Sequence, residues 1–252
     1  MPAPSLLAVF AHPDDEALSA GGILARHASA GARTAVVTPT WSADTPRATE
    51  LAEALRILGA GPPRMPGYAD SRVPSSAPGR PRWCDAPLDE AVGELVAHLR
   101  DVRPEIVVTH DAYGGLTGHE DHVHTHRVTT LAVHAAGLER LFPDAGEPWQ
   151  PSALYLATHP HSALRAFGGH WAPTGKAMRT VPDEHVSVTV DVTPWLDRKI
   201  AAVLAHRTEV ARGAAPGLIA ALSAPERERL LGTEWYTCHD LTPAAPPWPG
   251  RS

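Results

Sequence analysis

The stretch Ser5-Leu6-Leu7-Ala8-Val9-Phe10, running directly into Ala11-His12-Pro13-Asp14-Asp15-Glu16, decides the fold. Its first part is a short apolar run of the kind that forms a buried strand. The chain then turns acidic, and Ala17–Ala30 has helical composition with Gly31 at a C-cap position. The same alternation repeats downstream. Thr34–Thr40 (TAVVTPT) is β-branched and predicts a second strand, and Pro46–Leu58 carries Leu51, Ala54, Leu55 and Leu58 at helical spacing before Gly59. A short strand is expected near Met65–Tyr68, and residues 69–84, rich in Pro, Ser, Gly and Arg, read as a loop. Leu88–Leu99 is again helical, Pro104 marks its end, and Ile106–Thr109 (IVVT) is another buried-type strand.

Strands alternating with helices at this spacing predict an α/β fold with right-handed crossovers and a mainly parallel sheet. Ligands of such sheets sit beyond the carboxyl ends of the strands. The turn after Phe10 and the loop after Thr109 both meet that description. The second half is expected to be a smaller α+β part. Ala153–Thr158 and His185–Asp191 read as strands, Pro194–Thr208 as a helix, Pro143–Pro151 as a surface loop and Leu241–Ser252 as a loose tail. No internal repeat or linker divides the chain, so one domain is expected over residues 1–252, with a metal-binding core at 5–140.

The composition narrows the classes. Two cysteines, Cys84 and Cys238, in 252 residues rule out a disulfide-stapled scaffold and a four-thiolate zinc site. A formal net charge of -6 lacks the basic footprint of a nucleic-acid binder. No run approaches the roughly 20 apolar residues of a membrane span, and the start of the chain lacks the pattern of a signal peptide. A cytoplasmic protein with no nucleic-acid or membrane partner is the expectation. With 15 histidines present, a single histidine says little, and only spacing makes one informative.

Two clusters have such spacing. In the first, His12-Pro13-Asp14-Asp15-Glu16, adjacent carboxylates on extended backbone point apart, so one can bind a metal while the other faces a water. The second is Gly118-His119-Glu120-Asp121-His122-Val123-His124-Thr125-His126, in which His119 and His122 share a face once a helix has begun. Either cluster alone also reads as an ordinary acidic helix start. Together they bring histidines and aspartates to one rim of one sheet. Such a gathering of like charge is costly unless a cation offsets it, and mixed nitrogen and oxygen donors suit zinc.

His12-Pro13-Asp14-Asp15-Glu16 with Gly118-His119-x-Asp121-His122 resembles the PIG-L/LmbE family of zinc-dependent N-deacetylases, and within it the actinobacterial mycothiol-pathway branch. Val107-Val108-Thr109, Gly114-Gly115, Arg47 with Glu50-Leu51, Asp70-Ser71, and Lys199, Ala202, His206 and Thr208 extend the resemblance over most of residues 5–210. It implies a Rossmann-like sheet and removal of acetate from an N-acetylglucosaminyl-type substrate. The resemblance further implies one zinc ion, with iron acceptable to the same donors, held by His12, Asp15 and His122. Asp14 would be the general base, His119 the electrostatic stabiliser and general acid, and Asp121 the residue orienting it. Arg47 and Asp70 match positions that hold sugar or inositol hydroxyls. The family carries a mobile tyrosine just before its second motif; here Leu116-Thr117 occupy that stretch, and Tyr113, upstream, is the candidate for its place. Glu209 stands where glutamine is usual.

Beyond these, Trp41 and Trp83 are candidates to stack on a sugar, as is the less well placed Trp171, and His159 and His161 to line the pocket. His27, His98 and His134 are expected at the surface. Three other readings stay open: a mycothiol S-conjugate-type amidase on the same fold, a histidine-triad hydrolase suggested by His122-Val123-His124-Thr125-His126, and a non-catalytic zinc- or sugar-binding protein. A homo-oligomer is also left open.

Overall fold

The computed structural model describes residues 3–163 and 178–242. Trp171 and residues 243–252 of the expected tail lie outside them. The described chain builds one six-stranded sheet in the order β2-β1-β3-β4-β6-β5. Its strands are β1 (Leu6–Val9), β2 (Thr34–Val37), β3 (Ile106–His110), β4 (Ala153–Thr158), β5 (Val188–Asp191) and β6 (Thr233–Asp240). The first four pair in parallel, with Leu6 opposite Thr34 and Ile106, and Ile106 opposite Ala153. β6 runs antiparallel to both β4 and β5. The sheet is therefore mainly parallel, as the alternation of elements predicts.

Every residue of β1 to β4 is buried, because helices cover both faces. Side chains alternate across the sheet, so one strand feeds two cores. Leu6, Ala8, Val36, Ile106 and Val108 pack beneath α1 (Asp15–Ser29), α2 (Pro46–Leu58) and α5 (Leu196–Ala205). Leu7, Val9, Val37 and Val107 pack on the other side, under α3 (Leu88–Val102) and α4 (Glu120–Ala135).

Local chemistry explains the boundaries. α2 starts and stops where its sequence signals stand: Thr45 Oγ1 accepts from Ala48 N at 3.3 Å, Pro46 opens the helix, and Gly59 closes it at φ 81°. α3 continues three residues past Leu99 and ends where Arg103, the residue before Pro104, turns left-handed at φ 52°. β2 stops at Val37, short of Pro39. The strand expected near Met65–Tyr68 reduces to isolated bridges, Val37 to Arg64 and Thr40 to Tyr68, since Pro66 has no N–H to donate between them. The helix expected over Pro194–Thr208 breaks at His206 into α5 and a short α6 (Arg207–Ala211). Two further short helices, α7 (Ala215–Ala221) and α8 (Ala224–Leu231), precede β6. No helix among the described residues is long and apolar enough to cross a membrane.

Candidate active site

The carboxyl ends of β1 and β3 deliver the two motifs to one place. β1 hands the chain to the turn 11–14, and α1 starts at Asp15. β3 ends at His110, and the loop after it leads to α4, whose N-cap is His119. A cavity of about 560 Å³ opens there, lined among others by His12, Asp14, Asp15, Arg47, Asp70 and His122.

Three donor atoms face one another at its floor. His12 Nδ1 lies 3.0 Å from His122 Nε2 and 3.3 Å from Asp15 Oδ2, and His122 Nε2 lies 3.2 Å from the same carboxylate oxygen. The outer nitrogens of both rings are already committed. His12 Nε2 donates to Asp121 Oδ2 at 3.1 Å, and His122 Nδ1 donates to the Gly114 carbonyl at 3.1 Å. With a metal ion in place of the His12 proton, both inner nitrogens present lone pairs. Two lone pairs and a carboxylate oxygen in mutual contact repel unless a cation lies among them. Donors on a tetrahedral zinc stand about 3.3 Å apart, from bonds of about 2.0–2.2 Å, so this triangle fits one divalent ion with a vertex left over. Donor atoms of His12, His119 and His122 also lie within 4.8 Å of one another, as do those of Asp15, His110 and His122.

The electrostatics agree. Burial opposes charge on His12, but the Asp121, Asp15 and Asp70 carboxylates outweigh it and push the imidazole up to about 10. The site thus favours positive charge strongly. Burial pushes Asp14 up to about 7, with Arg47 opposing the rise. Burial and the His12 and His122 rings hold His119 down to about 4, so at neutral pH it is an uncharged imidazole. Its Nδ1 accepts from Asp121 N at 3.2 Å, which leaves Nε2 to carry the proton.

The remaining candidates sort by position. The Asp121 carboxylate, fully buried, holds His12 and also accepts from Ser71 N at 2.9 Å and Cys84 N at 3.1 Å. It lies 3.9 Å from His119 Nδ1, so its main charged partner is His12, not His119. Asp70 Oδ2 stands 3.4 Å from His12 Nε2, while Oδ1 accepts from Arg72 N and Val73 N. Arg47 donates to the Pro13 carbonyl and to Asp14 Oδ1, and its guanidinium lies over the Trp41 ring. Tyr113 is 48% exposed and is not among the described residues lining the cavity.

Other expectations are corrected. Trp83 is core: it is buried and donates to Thr125 Oγ1 at 2.8 Å. His27 is buried, with Nδ1 donating to the Pro4 carbonyl at 2.8 Å. His159 lines the cavity, whereas His161 is exposed. His126 donates to the His110 carbonyl and so cannot join a histidine triad facing a substrate from that nitrogen. Sequence reasoning passed over His110. It closes β3, accepts from Ala11 N at 3.2 Å, and stacks on His122 with ring centroids 4.0 Å apart. The signal was available, since a polar residue ending an apolar parallel strand faces the ligand rim.

A mainly parallel α/β sheet with a buried His/Asp cluster and an arginine-paired carboxylate beside it defines a metal-dependent amide hydrolase of the deacetylase type. The chain belongs to the PIG-L family, described as GlcNAc-PI de-N-acetylase, whose model matches residues 7–133. It is 41% identical over 239 residues to the 1D-myo-inositol 2-acetamido-2-deoxy-alpha-D-glucopyranoside deacetylase of Rhodococcus opacus, covering 81% of each chain. A conserved protein of Thermus thermophilus shares the fold with a TM-score of 0.62 at 27% identity, over 99% of both chains. The N,N'-diacetylchitobiose deacetylase of Pyrococcus horikoshii shares it with a TM-score of 0.65 at 19% identity, over 94% of this chain and 84% of that one.

Proposed function

We propose that this protein removes the acetyl group from the amide nitrogen of an N-acetylated amino sugar of the N-acetylglucosaminyl-inositol type, using one zinc ion held by His12, Asp15 and His122. The observation that carries the reading is the triangle of His12 Nδ1, Asp15 Oδ2 and His122 Nε2, with edges of 3.0 to 3.3 Å, beside the unligated Asp14 carboxylate. The activity named for the Rhodococcus opacus relative supplies the substrate class. A divalent ion in that triangle supplies a Lewis acid for the amide carbonyl and brings the pKa of water down to about 7.

The chain's own groups do the rest. Asp14 takes the proton of the attacking water; a carboxyl raised by burial toward neutral pH is well matched to that task. His119, neutral and with its proton on Nε2, donates a hydrogen bond to the carbonyl oxygen as it gains negative charge. The proton held on Asp14 Oδ then passes to the departing amine nitrogen. Asp121 fixes the His12 ring, and Arg47 and Asp70, at the cavity wall, hold sugar hydroxyls.

The test is release of primary amine from N-acetylglucosaminyl-inositol and from N-acetylglucosamine by protein purified without a histidine tag. Turnover is expected with the former, and chelation abolishes it. Asp14→Ala is expected to keep its metal and lose roughly 10²–10⁴-fold in rate, and His122→Ala to lose the metal. Full activity in the metal-free protein would overturn the reading.

A further inference from the structure

Asp14 has φ 128° and ψ -28°, a conformation that an L-residue keeps only when its surroundings impose it. Two groups hold the peptide there. Arg47 donates to the carbonyl of Pro13 just before it. On the other side, Asp14 N–H donates to Glu16 Oε2 at 3.0 Å. Glu16, at the second position of the helix, reaches back to the backbone of the residue preceding it. Capping side chains ordinarily sit at the surface, but Glu16 is fully buried.

A buried carboxylate needs a partner. That partner is His206, whose Nε2 stands 2.9 Å from Glu16 Oε1 across 190 positions of sequence. His206 is also fully buried, at the break between α5 and α6. Its Nδ1 has no hydrogen-bond partner among the described residues, so the bond to Glu16 is the one its ring makes. Neither Glu16 nor His206 is among the described residues lining the cavity. The pair therefore touches no substrate; it reaches the chemistry through the Asp14 peptide, and the His206 charge also favours the ionised Asp14 carboxylate.

We propose that His206 and Glu16 are positioning residues for the general base: together they hold the Asp14 peptide in its left-handed conformation and so set where the Asp14 carboxylate stands beside the metal triangle. The inference rests on Asp14 being the base.

The test compares His206→Gln with His206→Leu. A glutamine Nε2 can replace the imidazole Nε2 as donor to Glu16, and the lost Nδ1 had no partner. The glutamine variant is expected to keep its pH-independent kcat, read on the plateau above the acid limb, within about threefold and Asp14 at positive φ. The leucine variant should keep its metal and its KM for N-acetylglucosaminyl-inositol, but lose roughly 10²-fold in kcat, the usual scale for about 1 Å of misplacement. Its crystal structure should show Asp14 relaxed to negative φ. If the leucine variant does not fold, His206→Asn, polar but too short to reach Glu16, takes its place with the same expectation. An Asp14 unmoved in the leucine or asparagine variant, or equal losses with glutamine and leucine, overturns the proposal. If the unaltered protein turns over no substrate, the function reading fails, while the Asp14 φ in the paired crystal structures still decides this one.

Discussion

Arg47 Nη2 stands 3.2 Å from Asp14 Oδ1, while its Nη1 stands 3.3 Å from Glu209 Oε1. One buried cation is thus shared between the carboxylate proposed as base and a second, non-catalytic carboxylate. Arg212, at the cavity rim, also pairs with Glu209. Glu209 adds negative charge next to the Asp14 carboxylate, and Arg47 offsets it.

This relationship predicts two shifts of opposite sign. Burial raises the Asp14 pKa first, Arg47 lowers it, and Glu209 raises it. The base works only when ionised. Arg47→Gln therefore moves the acid limb of the kcat/KM profile to higher pH, and Glu209→Gln moves it to lower pH. Both are read from pH–rate profiles; shifts in the same direction would sink the account.

Asp121→Asn is expected to weaken metal binding by about 10–100-fold, the usual cost of losing an outer partner of a ligating histidine. The carboxylate holds His12 Nε2 and two backbone N–H groups at once, and an amide has only one oxygen to do so. Competition with a chelator of known affinity measures it. Unchanged affinity would show that His12 is oriented by other means.

His159 titrates against folding. Burial holds its pKa down to about 4, below the ordinary value of 6.5. The unfolded chain therefore takes up this proton at higher pH than the folded one. The stabilisation is complete above about pH 6.5 and is lost as pH falls toward 4. Between pH 7 and 5 the loss amounts to about 2 kcal/mol for this group. His159→Leu should flatten that part of the stability curve in denaturant titrations; an unaltered slope would exclude His159 as its source.

Lys199→Met should cost about 3–5 kcal/mol, because it strands a buried carboxylate. Lys199 Nζ lies 2.7 Å from Glu234 Oε1, with both side chains 2% exposed. Glu234 also accepts from Gly22 N, Ile23 N and the Tyr236 hydroxyl, tying β6 to α1. Chemical denaturation measures the loss, and a value below about 1 kcal/mol would mean that the three remaining donors suffice.

The first half of the fold was legible because each of its elements carries its own signal. β1 and β3 are continuous apolar runs, and α2 bears its cap, its proline and its closing glycine in sequence. β6 was not legible. Its buried positions are held by Glu234 and Tyr236 and its exposed end by His239 and Asp240, so no apolar alternation marks it. What makes a strand of it is its antiparallel pairing with β4 and β5, and a lysine 35 residues away neutralises the glutamate it buries.

By itself, the sequence determined the parallel α/β core and the two motifs at its rim, since hydrophobic period and local spacing are properties of neighbouring residues. Only the tertiary structure decided that Asp121 grips His12, that His110 stacks beneath His122, and that His206 reaches Glu16. Those pairings join positions 12 to 190 residues apart, and their geometry depends on how the strands register and how the helices pack, which no local pattern encodes.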